Sequence, residues 1–208
     1  FRYAKNLAEG HGPRFNLGPH TPIEGYSSFL WMVVCAGFEL CGLAPVLWAN
    51  LLSAGTGLIL LAQVHQYLER RLRVSRSATL LGLAICAFHP PLAVYSSSGL
   101  ETMAYTALLF ACYAALVRDG EEIRLLSSGL LATGLGLIRV EGVFWVALFL
   151  ALAVARNLSN RRLRRLEQAA WIFFLLYGTY WLWRFAYYGL PFPNTVYAKV
   201  GFSWDGLV

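Results

Sequence analysis

The sequence predicts an all-α fold: a polytopic helical membrane protein with about six transmembrane helices, plus juxtamembrane helices on the extracytoplasmic side. Three observations carry this expectation. The 208 residues are 58% hydrophobic and only 13% charged, with a mean hydropathy of +0.53, a balance too apolar for a water-soluble domain of this size. The apolar runs are continuous and lack the period-two alternation of barrel strands. The basic residues gather in short clusters between those runs, which reports membrane orientation, so the net charge of +6 is read as topology and no nucleic-acid partner is expected.

The chain opens on "FRYAKNLAEGHGPRFN". Phe1, Ala4, Leu7 and Ala8 recur at helical spacing while Arg2, Lys5, Asn6 and Glu9 point elsewhere, which predicts an amphipathic helix stopped by Gly10 and Gly12. Taken alone, it reads as a helix lying on lipid headgroups. Residues 1–15 lack the apolar core of a signal peptide, and the absence of Met at position 1 creates the expectation that a segment precedes Phe1.

The run 29–44 is interrupted by Glu39 and is short for a span, and Pro45 opens a fresh helix, so an interfacial or re-entrant helix is expected there. Further runs follow at 45–68, 78–95, 102–117, 125–138, 142–155 and 168–187. Three basic clusters separate them: Arg70, Arg71, Arg73 and Arg76; Arg118 and Arg124; and Arg156, Arg161, Arg162, Arg164 and Arg165. They hold eleven of the seventeen Lys and Arg residues and are assigned to short cytoplasmic loops. Two runs lie between each pair of clusters, so all three share one compartment. This parity divides the chain into an extracytoplasmic segment 1–44, a helical bundle 45–189 and an extracytoplasmic segment 190–208. Cys35, Cys41, Cys86 and Cys112 lie in apolar runs without metal-ligand spacing and read as small packing residues.

On this topology several polar motifs share one face. Glu24 in "TPIEGYSSFLW" is either a carboxylate that binds a metal or takes a proton beside an apolar run, or an exposed residue before an N-cap at Ser27 or Ser28. Ser98 and Glu101 have capping-box spacing, and Glu101 also stands at an outward-facing helix N-terminus suited to phosphate oxygens. Arg139 and Glu141 occupy a turn that Gly142 makes tight; Arg139 either pairs with a lipid phosphate or snorkels to headgroups. In "YYGLPFPNTVYAKVG" two prolines fix an extended chain, and Asn194, Thr195, Tyr197 and Lys199 offer an amide, a hydroxyl, an aromatic ring and a cation. That set suits a sugar joined to a phosphate, and equally a proline-anchored connector. His65 and His89 read as core residues, and the glycosylation pattern at Asn157 falls in a cytoplasmic loop and stays unmodified.

In order, "FRYAKNLAEGHGPRFN", "EGYSSFLW", "SSGLETMAY", "RVEG" and "PFPNTVYAKVG" resemble the bacterial membrane glycosyltransferases of the GT-C superfamily. The nearest type is the terminal β-(1→2) arabinofuranosyltransferase of the actinobacterial cell wall. The resemblance implies a GT-C-like fold in the bacterial plasma membrane with its active face outside. It also implies a polyprenyl-phosphate sugar donor, a glycan or lipid-linked acceptor and, as the one cofactor left open, a divalent cation, Mg²⁺ or Mn²⁺. The family's catalytic acids fall where residues before Phe1 would stand, so the general base is expected upstream; Glu24 matches the acid of the family's "EGY". Arg2 lies in the opening motif, Glu101 matches "GLET", Arg139 and Glu141 match the "R-x-E-G" turn, and Asn194, Tyr197 and Lys199 match "PNT-x-YAK". Where the family usually has proline this chain has Val140.

The expected chemistry is a single displacement at the donor's anomeric carbon, with Arg139, Lys199 or a metal stabilising the departing lipid phosphate. No nucleotide fingerprint is present. The rivals are a lipid-glycan flippase or transporter subunit, and a non-catalytic membrane subunit; the grouping of ionisable residues at the ends of the apolar runs argues for chemistry on one face.

Overall fold

The computed structural model describes residues 1–18, 21–117, 124–156 and 160–200, with the side chains of Asn160, Lys199 and Val200 outside that description. Among the described residues the fold is all-α, with no strand. Ten helices follow in order: α1 (Arg2–Ala8), α2 (Phe29–Leu40), α3 (Pro45–Arg70), α4 (Arg76–Ala87), α5 (Pro90–Ser97), α6 (Thr102–Leu116), α7 (Leu125–Ile138), α8 (Gly142–Ala155), α9 (Asn160–Tyr188) and α10 (Asn194–Val200).

Glycine punctuation decides the first two boundaries. Past Glu9, Gly10 takes φ +81°, and the His11 and Gly10 amides close back on the Asn6 and Leu7 carbonyls, satisfying two of the helix's orphan acceptors. Gly42 at φ +69° ends α2 the same way. The expected polar face of α1 needs one correction. Asn6 is buried because α1 packs on α2, and its Nδ2 donates to the Arg14 and Phe15 carbonyls at 2.6 and 3.2 Å. α1 is therefore a packed element with a buried anchor for the loop that follows it.

Pro45 sits in the first turn of α3, as expected. α3 is the one described helix long and apolar enough by itself to cross a bilayer. The run 78–95 is corrected from one helix to two, α4 and α5, which meet at an angle of 60°. Pro90 lacks an N–H and drives the preceding residue extended, and His89 accordingly stands at φ −68°, ψ 118°. α2, α6, α7 and α8 are shorter apolar helices.

Three boundaries also move. α9 begins at Asn160, so four arginines assigned to a loop, Arg161, Arg162, Arg164 and Arg165, lie on its first turns. Arg124 is the N-cap of α7, whereas Arg118 and Asn157 lie outside the described residues. The extended reading of 190–201 gives way to α10: Pro191 and Pro193 precede the helix, where no ladder hydrogen bond is needed, and nothing in "NTVYAK" breaks one. Residues 201–208 lie outside the described residues.

Two apolar clusters hold these helices together. One joins α6, α7, α8 and α9 through Cys112, Leu116, Leu135, Val146, Phe149 and Phe173; the other joins α1, α2, α3 and the end of α7 through Ala4, Trp31, Met32, Ala49 and Ile138. α7 takes α9 closely because it offers glycines: a Cβ at Gly129 would meet the Ile172 side chain at 2.6 Å, and one at Gly136 the Tyr177 ring at 3.0 Å. Cys35 and Cys112 are buried packing residues as expected, but Cys41 is exposed at the end of α2. Large apolar side chains face outward along several helices, among them Leu58, Phe88, Phe144, Trp171 and Leu175.

Candidate functional site

The end of α9 gathers the two extremities of the chain. Tyr188 donates to the Pro13 carbonyl at 2.6 Å and shares a hydrogen bond with the Tyr26 hydroxyl at 3.0 Å. Arg14 Nε donates to the Tyr187 hydroxyl at 3.4 Å. Tyr3 donates to the Ile23 carbonyl at 2.7 Å and accepts from the Gly25 amide at 2.8 Å. The loop carrying "EGY" is thus held between α1 and α9 by tyrosine hydroxyls. Burial pushes the Tyr26 phenol far above its ordinary pKa, so it remains neutral and able to donate.

Glu24 occupies the centre of this arrangement. The reading of an exposed residue before an N-cap is corrected: Glu24 is 1% exposed, and its carboxylate meets Arg184 Nη2 at 2.5 Å. Ser28 is the N-cap of α2 but makes no side-chain cap bond. Arg184 is also buried, and its Nη1 donates to the Leu190 and Pro191 carbonyls at 3.0 and 2.8 Å. The Glu24 amide donates to Asn194 Oδ1 at 3.2 Å. Burial pushes the Glu24 carboxyl above its ordinary range, against the opposing pull of the Arg184 guanidinium. Held in this way, Glu24 ties the opening segment to the "PFPN" loop.

Arg184 is the site residue that the sequence reading missed. Its signal was present: a lone charge inside "YWLWRFAYY", where an ionisable group in an apolar run needs a partner.

A second polar cluster lies at the α7–α8 turn. Arg139 Nη1 donates to Glu101 Oε1 at 2.9 Å, and its Nη2 and Nε donate to Glu141 at 3.2 and 3.4 Å. The guanidinium also stands over the Tyr105 ring at 5.7 Å. This clamp engages Arg139 within the protein and has a summed formal charge of −1. The capping-box reading of Ser98 and Glu101 is corrected as well: Glu101 is itself the N-cap of α6 with no cap bond, and its carboxylate reaches Arg139. Ser98 Oγ instead accepts from the Leu100 amide and donates to the Tyr95 carbonyl. Glu141, about half exposed, is the accessible carboxylate of the three-residue cluster.

The remaining candidates do not all join these clusters. Arg2 lies exposed over the Phe15 ring at 4.4 Å. Tyr197 is carried on α10, its hydroxyl buried without a hydrogen-bond partner among the described residues. The Lys199 side chain lies outside the described residues.

An apolar groove of about 280 Å³ opens beside Arg184. Val140, next to Arg139, lies at one side, and Ser27 and Arg184 at another. Phe144, Tyr180, Trp181 and Phe192 supply most of the aromatic wall. A second hollow of about 320 Å³ opens beneath the first loop between Tyr3, Arg14, Phe15 and Pro22. Among the described residues no three His, Cys, Asp or Glu side chains gather, and Glu101 and Glu141 are spanned by a guanidinium. No step is derived through a divalent cation.

One consequence is directly testable. Replacing Asn6 by alanine removes the donor from two loop carbonyls, an expected cost of about 1–2 kcal/mol, read as a lower thermal midpoint at unchanged helix content.

Searches of protein-family models, curated proteins and solved structures find no match to this chain.

Proposed function

We propose that the chain is a multi-span membrane protein forming the extracytoplasmic face of a glycosyltransferase, which moves a sugar from a polyprenyl-phosphate donor to a glycan or lipid-linked acceptor. The observation that carries this reading is the aromatic-walled apolar groove that opens beside Arg184 and reaches Val140, the neighbour of Arg139. An isoprenoid chain needs such a dry, aromatic trough, and the sugar it carries needs polar groups at the rim. The five motifs behind the GT-C resemblance support it further, since the opening, "EGY" and "PFPN" motifs meet at the end of α9. The outward-facing apolar side chains of α3, α8 and α9 favour a lipid surrounding.

In this reading Glu24 and Arg184 hold the loops in register, Glu101 and Arg139 orient Glu141, and Glu141 accepts a hydrogen bond from the acceptor hydroxyl. Asn194, Tyr197 and Lys199 belong to the donor's sugar-phosphate end, Arg2 to the outer rim, and the bilayer is the common medium. A photoreactive polyprenyl phosphate should label Phe144 or Trp181 in membranes containing the protein, and a labelled sugar should pass from such a donor to acceptor. Labelling confined to other segments would overturn the groove assignment. Glu141→Gln should raise the acceptor KM about tenfold or more while donor labelling persists; an unchanged KM would remove Glu141 from the acceptor site.

A second reading, a lipid-glycan flippase, is favoured by one observation, the broken α4–α5 pair, since transporters build substrate sites at interrupted helices. It predicts movement of the lipid-linked sugar between leaflets with no transfer product.

A further inference from the structure

We infer that the cleft between α3 and α6, away from the groove described above, binds one anionic glycerophospholipid, with an acyl chain along α3 and its phosphate at Arg70 and Arg71. The inference rests on the reading of the chain as membrane-spanning.

The cleft has two parts. The first is an apolar hollow of about 270 Å³. Leu52, Thr56, Ile59 and Gln63 line it on one face of α3, each three or four residues after the last. Opposite them α6 supplies alanines, Ala104, Ala107 and Ala111, whose short side chains leave the space open. Trp31 closes the far end, its indole N–H already taken by the Gly99 carbonyl at 3.2 Å. The second part, of about 130 Å³, lies between Gln66, Tyr67, Arg70 and Arg71 of α3 and its C-terminal end and the Phe110 region of α6. Gln63 and Ala111 line both hollows, so the two form one continuous cleft, apolar above and basic below.

Dimensions and charge identify the occupant. From Leu52 to Gln63 α3 rises about 16 Å, roughly half of the ~30 Å hydrocarbon core, the depth reached by a chain in one leaflet. At roughly 30 Å³ for each water-sized group, the upper hollow takes a single chain of about nine groups and no helix. The lower hollow brings two guanidinium-bearing residues together. Phosphatidylglycerol supplies an anionic phosphodiester and an acyl chain together. Arg73 and Arg76 follow immediately in the sequence and extend the positive field across the same leaflet surface.

The test is lipid retention by the full chain in nanodiscs of equimolar phosphatidylcholine and phosphatidylglycerol, released gently into detergent and read by native mass spectrometry. Wild type should retain one phosphatidylglycerol. Arg70→Gln with Arg71→Gln should lower that retention about tenfold, whereas the charge-matched pair Arg161→Gln with Arg164→Gln should not; an equal loss in both pairs would overturn the site as mere surface charge. Ala111→Phe fills the junction of the two hollows and should abolish retention with helix content unchanged. If that variant loses helix content, Ala111→Leu is read in its place, and retention by the folded variant at the wild-type level would overturn the cleft as the chain's path. Displacement of the lipid by inorganic phosphate would assign the basic hollow to a free anion and overturn the lipid proposal. A protein that enters nanodiscs but keeps no phosphatidylglycerol sinks this inference alone, whereas one that never enters them sinks the membrane reading as well.

Discussion

Arg184→Met should lower the stability of the folded protein by about 3–5 kcal/mol, the usual consequence of removing one partner of a buried ion pair. Both members here are almost fully buried, Glu24 at 1% and Arg184 at 3% exposure, so the abandoned carboxylate has no route to water. The same change frees the Leu190 and Pro191 carbonyls that Arg184 Nη1 held. The sign of the pH dependence follows. Burial already raises the Glu24 carboxyl, and losing the guanidinium that opposes that shift raises it further. A carboxyl whose folded-state pKa lies above its unfolded value contributes stability below the unfolded pKa and loses it as pH rises through the folded one. The deficit of Arg184→Met relative to wild type should therefore be largest at alkaline pH and shrink as Glu24 takes up its proton. Glu24→Gln combined with Arg184→Met should recover part of the loss. Thermal midpoints across a pH series check this; a deficit that grows on acidification would refute the pairing.

Gly142→Ala should be comparably damaging, for a steric reason. A Cβ at position 142 would fall on the Leu135 carbonyl, inside any possible contact distance. The neighbour is backbone in α7, so the α7–α8 turn must open instead. Opening it breaks the Gly142 amide's bond to the Arg139 carbonyl, 2.9 Å long, and draws Arg139 away from Glu101. A loss of about 3 kcal/mol or more is expected, at the upper end of what overpacking costs, together with loss of whatever activity depends on Glu141. A variant with wild-type midpoint would mean that this turn is looser than its packing indicates.

Much of the helical plan was legible from local signals. Pro45 at the start of α3, Gly10 after α1 and Gly42 after α2 act through backbone geometry alone, without reference to any distant residue. The break at His89 was written in the same alphabet but was overlooked, because hydropathy continues unbroken through Pro90 and Pro91 and masks the missing N–H. The Arg139–Glu141 turn was legible because its partners are neighbours in sequence. Glu101 joined it only through α6 and α7 packing side by side, which no local pattern states. The burial of Glu24 was the least legible feature of all: "IEGYSS" resembles an exposed turn until Arg184 is brought to it, and an arginine framed by tryptophan and phenylalanine resembles the frayed end of a span.

The tie between the two ends of the chain has a temporal consequence. The Glu24 amide and its Asn194 acceptor lie 170 residues apart, so this contact waits for almost all the described chain to be made. At about 5–20 residues per second, the first loop exists for roughly 10–30 s before its partner emerges from the ribosome. During that interval Glu24 is a solvated carboxylate and the aromatic groove lacks its α9 wall. Assembly of this end of the helical bundle is therefore a late event, and a nascent chain arrested before α9 has neither a closed loop nor a complete groove.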